Sequence, residues 1–202
     1  MKTVEDLQRF EQEIADIYAT GAIQHPVHLR SSADGSYERN MIKALSGIRK
    51  QDYFFGYWDS HIACLLKGVP EDELKEAIVR GDSIALCFPE HRILCSGIVG
   101  SLMGVAVGTA WAIKQAGLDE RVYLYSGDMS AQTGIFHEAL KYGENFDLPI
   151  RFIIGDNGVS VMTDTAKTWN SGMIERRQNL QWFRFDYTNK WPHSGLLQRI
   201  KF

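Results

Sequence analysis

The stretch that decides the fold runs Val122-Tyr-Leu-Tyr-Ser-Gly-Asp128 and resumes at Pro149-Ile-Arg-Phe-Ile-Ile-Gly-Asp-Asn-Gly158. Each half opens on a short run of β-branched and aromatic residues. Such a run reads as a strand, Val122–Tyr125 in the first half and Ile150–Ile154 in the second. Each run ends on glycine and aspartate, the residues of a turn. Between them, Ser130 to Glu144 carries helical spacing, and a helix over 99–115 with a turn at Gly117 precedes the first strand. Helix, strand, helix, strand at this spacing predicts parallel βαβ units in an α/β fold. The expected architecture is a single doubly wound, mostly parallel sheet with helices on both faces.

Working outward, residues 3 to 20 predict an N-terminal amphipathic helix. Thr3 and Asp6 make a capping-box-like start, Leu7, Phe10, Ile14 and Ile17 follow at helical spacing, and Gly21 stops it. Pro26 and Ser31–Ser36 mark a loop before a helical stretch over Glu38–Leu45. Pro70-Glu71-Asp72-Glu73 is a good first turn for a helix ended by Gly81. Residues 82 to 97 read as irregular. Trp182 to Tyr187 alternates like a further strand, and 188–202 reads as a short tail. The 202 residues are expected to form one domain.

With 22 Lys and Arg against 25 Asp and Glu, the net charge is −3, which argues against nucleic acid as the main partner. Cys64, Cys87 and Cys95 are odd in number and form no CxxC pair, so neither a disulfide framework nor a zinc site is indicated and a cytoplasmic location is expected. No signal peptide is read at the start. The apolar stretch Ile98–Ile113 is short of the ~20 residues needed to span a bilayer. It reads as a buried helix, and no membrane association is expected.

In open parallel sheets, ligands bind past the carboxyl ends of the strands. Gly127-Asp128 and Gly155-Asp156-Asn157-Gly158 lie there. Their carboxylate, amide and main-chain oxygens are hard ligands suited to Mg²⁺, and Asp128 precedes a helix N-terminus, which favours phosphate. The residues alone give a Mg²⁺-diphosphate site or a pair of ordinary loops.

The interval from Gly127 to Asn157 resembles the thiamine diphosphate motif, Gly-Asp-Gly followed some thirty residues later by Asn-Asn. Gly97-Ile-Val-Gly100, Gly134-Ile-Phe-His-Glu-Ala139, Leu148-Pro-Ile150, Asp52–His61 and Lys67-Gly-Val-Pro70 extend the likeness over roughly residues 20 to 165. Together they resemble the α subunit of two-component 2-oxoacid dehydrogenases, the E1 component. The resemblance implies that Asp128 and Asn157 bind Mg²⁺ through side chains and Val159 through its carbonyl. Gly127, Met129 and Ser130 would lie against the diphosphate, and Gly97 and Val99 against the aminopyrimidine ring. His61 and His28 would stand on the substrate side as catalytic residues, with His25, His137 and His193 structural.

Three departures are visible. Met129 replaces the motif's third glycine and Asp156 the first asparagine. Trp58-Asp59 stands where a Tyr-Arg pair clamps the diphosphate, and an Asp there repels phosphate, so Arg92 or Lys167 is looked to for compensation. The resemblance implies decarboxylation of a pyruvate-like 2-oxoacid and transfer of the acyl or aldehyde unit to an acceptor. A β-type subunit carrying the pyrimidine-binding domain would complete an α2β2 assembly, with exposed apolar surface marking the interface. Transketolase-like ketol transfer, or a cofactor-free scaffold or regulatory subunit, are the alternatives. Gly100, Gly104 and Gly108 place small residues on one helix face, for a subunit contact or for packing within the domain.

Overall fold

The computed structural model describes residues 2–161, 163–169 and 182–192. His193 and the rest of the expected tail lie outside the described residues. In chain order the elements are α1 (Val4–Ala19), α2 (Ser36–Ala44), β1 (Tyr53–Tyr57), α3 (His61–Leu66) and α4 (Glu71–Arg80). Then come β2 (Cys87–Phe88), a 3₁₀ turn (Pro89–His91), β3 (Ile93–Ser96), α5 (Met103–Gln115) and β4 (Val122–Gly127). The rest are α6 (Asp128–Ala131), α7 (Gly134–Asn145), β5 (Ile150–Asp156), β6 (Val159–Ser160), β7 (Thr163–Asp164), α8 (Thr165–Trp169) and β8 (Trp182–Asp186).

Six strands form one sheet in the order β2-β3-β1-β4-β5-β8. All pairings are parallel except β2 with β3, which are antiparallel. Helices cover both faces, as expected for an α/β sheet. Residue parity in β4 shows how. Val122 and Leu124 enter the core under α5 and α7, whereas Tyr123 and Tyr125 enter the core under α1 to α4. A strand buried on both faces carries apolar residues continuously, and β4 is buried from Val122 to Ser126.

The start of α1 is as read. The Asp6 amide donates to Thr3 Oγ1 at 3.1 Å and the Thr3 amide to Asp6 Oδ2 at 2.8 Å, satisfying two amide donors that a helix start leaves over. At the end of α4, Gly81 adopts φ 111 in the left-handed region, a cap that glycine makes without a Cβ clash.

Four expectations are corrected. Residues 82–97 are not irregular, since they hold β2 and β3. Tyr53–Tyr57 is the central strand β1, which the pattern reading left unassigned. The helix expected over 99–115 begins only at Met103. The one expected from Ser130 to Glu144 breaks at Gln132-Thr133 into α6 and α7, so the turn after Asp128 lacks a long helix's dipole.

Nor is Ile98–Ile113 a buried helix. Met103, Ala106, Ala110 and Ile113 are buried, but Ile98 is 71% exposed and Val105 46%. A Cβ placed on Gly104 or Gly108 would meet nothing within 4 Å. Gly104 and Gly108 therefore do not serve packing inside the domain, whereas a Cβ on Gly100 would stand 3.0 Å from the Ile135 side chain. No helix among the described residues is long and apolar enough to cross a membrane.

Candidate functional site

The chain leaves β1 toward β3 on one side of it and later lays β4 on its other side. That reversal opens a crevice past the carboxyl ends of the strands, where doubly wound sheets place ligands. A cavity of about 50 Å³ lies there. Its walls are Tyr57, Trp58 and Asp59 past β1, Val99 past β3, Gly127 to Ser130 past β4, Val159 to Val161 past β5, and His28 and Arg30 from the segment between α1 and α2.

The structure thus brings seven of the sequence-predicted residues to one cavity: His28, Val99, Gly127, Asp128, Met129, Ser130 and Val159. Gly97 is exposed and is not in the wall. Asn157 is close in sequence to the wall, and its Oδ1 accepts the Val159 amide at 3.2 Å. His61 is corrected. It is fully enclosed at the start of α3, with Nε2 2.9 Å from Ser83 Oγ, and it does not line the cavity. Burial pushes its pKa down to about 4, so it stays neutral. His25 is exposed and abuts Gly81, while His137 is exposed with its ring edge-on to Phe136.

Asp128 is the buried carboxylate of the site. Its Oδ2 accepts the Thr165 hydroxyl at 2.5 Å. Burial pushes its pKa up, and neighbouring Asp156 adds to the rise. Such a group gains from a cation at its second oxygen. Asp156 itself is engaged, with Oδ1 accepting the Gly158 amide at 2.9 Å and Oδ2 paired with Arg184. Among the described residues no group of three or more His, Cys, Asp and Glu is placed to hold a metal ion. A cation here would rely on Asp128 with amide and main-chain oxygens, a hard donor set that fits Mg²⁺.

The aspartate at 59, expected to repel phosphate unless Arg92 or Lys167 compensates, is paired with a different cation. Asp59 Oδ2 accepts Arg30 Nε at 2.5 Å and the Tyr125 hydroxyl at 3.4 Å, and Tyr125 accepts the Tyr37 hydroxyl at 3.1 Å. Burial works to raise the Asp59 pKa, but Arg30 and then His28 outweigh it and hold it below the usual carboxylate range. His28 stands edge-on to Trp58, ring centroids 5.0 Å apart. The cations expected to compensate are elsewhere. The Arg92 guanidinium lies over the Tyr53 ring at 4.8 Å, at the opposite end of β1, and pairs with Glu120. Lys167 is exposed on α8 and outside the cavity wall.

The sequence reading therefore missed Arg30. The available signal was its spacing of two from His28 in Val27-His28-Leu29-Arg30. The segment is fixed from behind by buried Glu11 of α1, whose carboxyl accepts the Arg30 amide at 2.8 Å and the Ser31 amide at 2.6 Å. Burial pushes the Glu11 pKa up to about 7. Val161, also in the wall, has φ 57, an outlier for a β-branched residue.

The family model for the dehydrogenase E1 component matches residues 7–179. The chain belongs to the dehydrogenase E1 component family. A relative within reach is the pyruvate dehydrogenase E1 component subunit alpha of Rickettsia prowazekii (strain Madrid E). It is 28% identical over 173 residues, aligning 80% of this chain and 52% of the relative. The mitochondrial 2-oxoisovalerate dehydrogenase subunit alpha of Homo sapiens is 28% identical over 91 residues, 45% of this chain and 20% of the relative. A solved structure from Mycobacterium smegmatis, assigned as a thiamin diphosphate-dependent enzyme, matches with TM-score 0.43 and 19% identity over 67% of this chain and 23% of its own. This E1-family chain spans about half the length of the first curated relatives it matches.

Proposed function

We propose that this chain is the diphosphate-binding half, a single domain over residues 1–202, of a thiamine diphosphate-dependent enzyme. The enzyme would decarboxylate a pyruvate-like 2-oxoacid and pass the acyl or aldehyde unit to an acceptor. The observation that carries the reading is Asp128: a buried carboxyl with a raised pKa, in one cavity with Gly127, Met129, Ser130 and Val159. Membership of the E1 family and the names of the relatives support it.

In this reading Asp128, the Asn157 amide oxygen and the Val159 carbonyl hold Mg²⁺. Asn157 Oδ1 also accepts the Val159 amide at 3.2 Å, which ties the two residues to one turn. The Ser130 hydroxyl and the backbone at Gly127 and Met129 contact the diphosphate, with Gly97 and Val99 on the ring side. When bound, the cofactor supplies a carbon nucleophile and an electron sink. His28, in the cavity wall, takes the role of orienting substrate or carrying a proton at its ring nitrogens. Fully enclosed His61 supports the fold instead.

A cavity of about 50 Å³ seats part of a ligand, since sites that enclose a small molecule hold ~300–1,000 Å³. The remaining wall is assigned to a β-type subunit bearing the pyrimidine-binding domain, in an α2β2 assembly. The apolar face of α5 and α7, which runs to Val99 in the wall, is where that subunit docks. Three free cysteines suit a reducing compartment, and the cytoplasm is proposed.

Calorimetry with thiamine diphosphate and Mg²⁺ on the chain co-purified with its partner tests the reading. Binding that is lost in Asp128→Ala supports it. Absence of heat in both proteins would leave a cofactor-free scaffold as the better account.

A further inference from the structure

We propose that Arg30, steadied by Asp59, is the side chain that receives an anionic phosphoryl group in this cavity. The proposal rests on the cofactor reading above and names the cation that reading leaves unassigned. Among the described residues in the wall, Arg30 is the only lysine or arginine. The charged groups that share the wall with it are Asp59 and Asp128, with His28 the one other titratable base. A phosphoryl group entering between two carboxylates needs a fixed positive donor, and Arg30 is the one supplied.

The way Arg30 is held suits that task. Asp59 engages Nε at 2.5 Å, so the guanidinium plane is set before a ligand arrives. A guanidinium carries five N–H donors, and one held in place by a carboxylate meets phosphate oxygens with its charge already oriented. The side chain is 14% exposed, so it is largely desolvated, and the carboxylate spares it the cost of an isolated buried charge. Its backbone is fixed independently, because the Arg30 amide donates to the Glu11 carboxyl. Two other cations lie outside the wall: Arg184 pairs with Asp156 and Asp186, and Arg92 sits at the opposite end of β1 with Glu120.

The test is calorimetric titration of the chain, co-purified with its partner, with inorganic pyrophosphate and Mg²⁺, paired with thermal melts. Removing Arg30 alone would bury the Asp59 charge unpaired and risk unfolding. The informative variant is therefore the neutral double substitution Arg30→Gln with Asp59→Asn, alongside Arg30→Lys. We expect the double variant to fold and to bind pyrophosphate about tenfold more weakly or worse. Arg30→Lys should restore part of the loss, which a merely structural role would not produce. Wild-type binding that the folded double variant retains within twofold overturns the role of Arg30 and leaves the cofactor reading standing. A wild-type chain that binds no pyrophosphate, with Asp128→Ala indistinguishable from it, overturns the cofactor reading and this proposal together.

Discussion

The two faces of the sheet are finished differently. On the face covered by α1 to α4, the core is continuous from Leu7, Phe10 and Ile14 through Tyr37 and Met41 to Leu74 and Ile78, all fully buried. On the face covered by α5 and α7, a smaller core around Phe136, Phe152 and Leu124 is closed, but the outer sides of its helices stay apolar. Among the described residues ten large hydrophobics are exposed. Seven of them (Ile98, Val99, Val105, Leu118, Ile135, Tyr142 and Phe146) belong to α5, α7 or residues flanking them. The first face is closed within this chain. The second leaves apolar surface exposed, which the proposed function assigns to a partner subunit, and the two should respond to mutation differently.

The largest stability effect is expected on the closed face. Phe10→Ala removes a fully buried ring and should cost about 3–5 kcal/mol in denaturant unfolding. A loss below about 1 kcal/mol would show that this core yields easily and would blur the contrast.

Next in size is a pH effect from Glu11 on the same face. Its pKa rises from 4.5 to about 7 on folding. The protonated form is therefore favoured in the folded chain, and that stability is present below pH 4.5 and lost as pH rises through 7. Between pH 4.5 and 8 the Glu11 contribution should fall by about 3 kcal/mol. His61 acts in the other sense, since its pKa falls from 6.5 to about 4: its contribution is present above pH 6.5 and lost as pH drops through 4. Glu11→Gln should remove only the alkaline-side decline, and unfolding curves at pH 5 and 8 will show whether it does.

A smaller loss is expected at the α1 cap. Thr3→Ala deletes the hydroxyl that accepts the Asp6 amide and should cost about 1 kcal/mol by thermal melting. Smallest of all is Val105→Ser on the open face, where stability should stay within about 0.5 kcal/mol. Val105→Asp with Ile135→Asp should likewise leave folding intact while abolishing co-purification with the partner subunit. Retained co-purification would move the docking surface away from α5 and α7.

Some of this arrangement is legible in the sequence for plain physical reasons. The βαβ unit from β4 to β5 is flanked by glycines and carries a helix with a clear apolar stripe, so periodicity finds it. The strand β1 escapes because Tyr53-Phe-Phe-Gly-Tyr57 is central and buried on both sides, giving no alternation. Its Gly56 has Ser60 Oγ where a Cβ would stand, a close approach that no local pattern reports. At four residues, β3 is too short for a periodic signal. In the cavity, the turn residues Gly127 to Ser130 follow from chain position alone. The pairing of Arg30 with Asp59 does not, because it joins positions 29 apart that only the assembled sheet brings together.

The cavity wall is gathered from five separate stretches, between residues 28 and 161. No fragment of a growing polypeptide short of that last stretch can present it. A ligand that fits the wall binds the finished chain and not its precursors, so by mass action it draws slow or faltering molecules toward the native form. Supply of that ligand during synthesis would then govern how much protein accumulates as well as how fast it turns over.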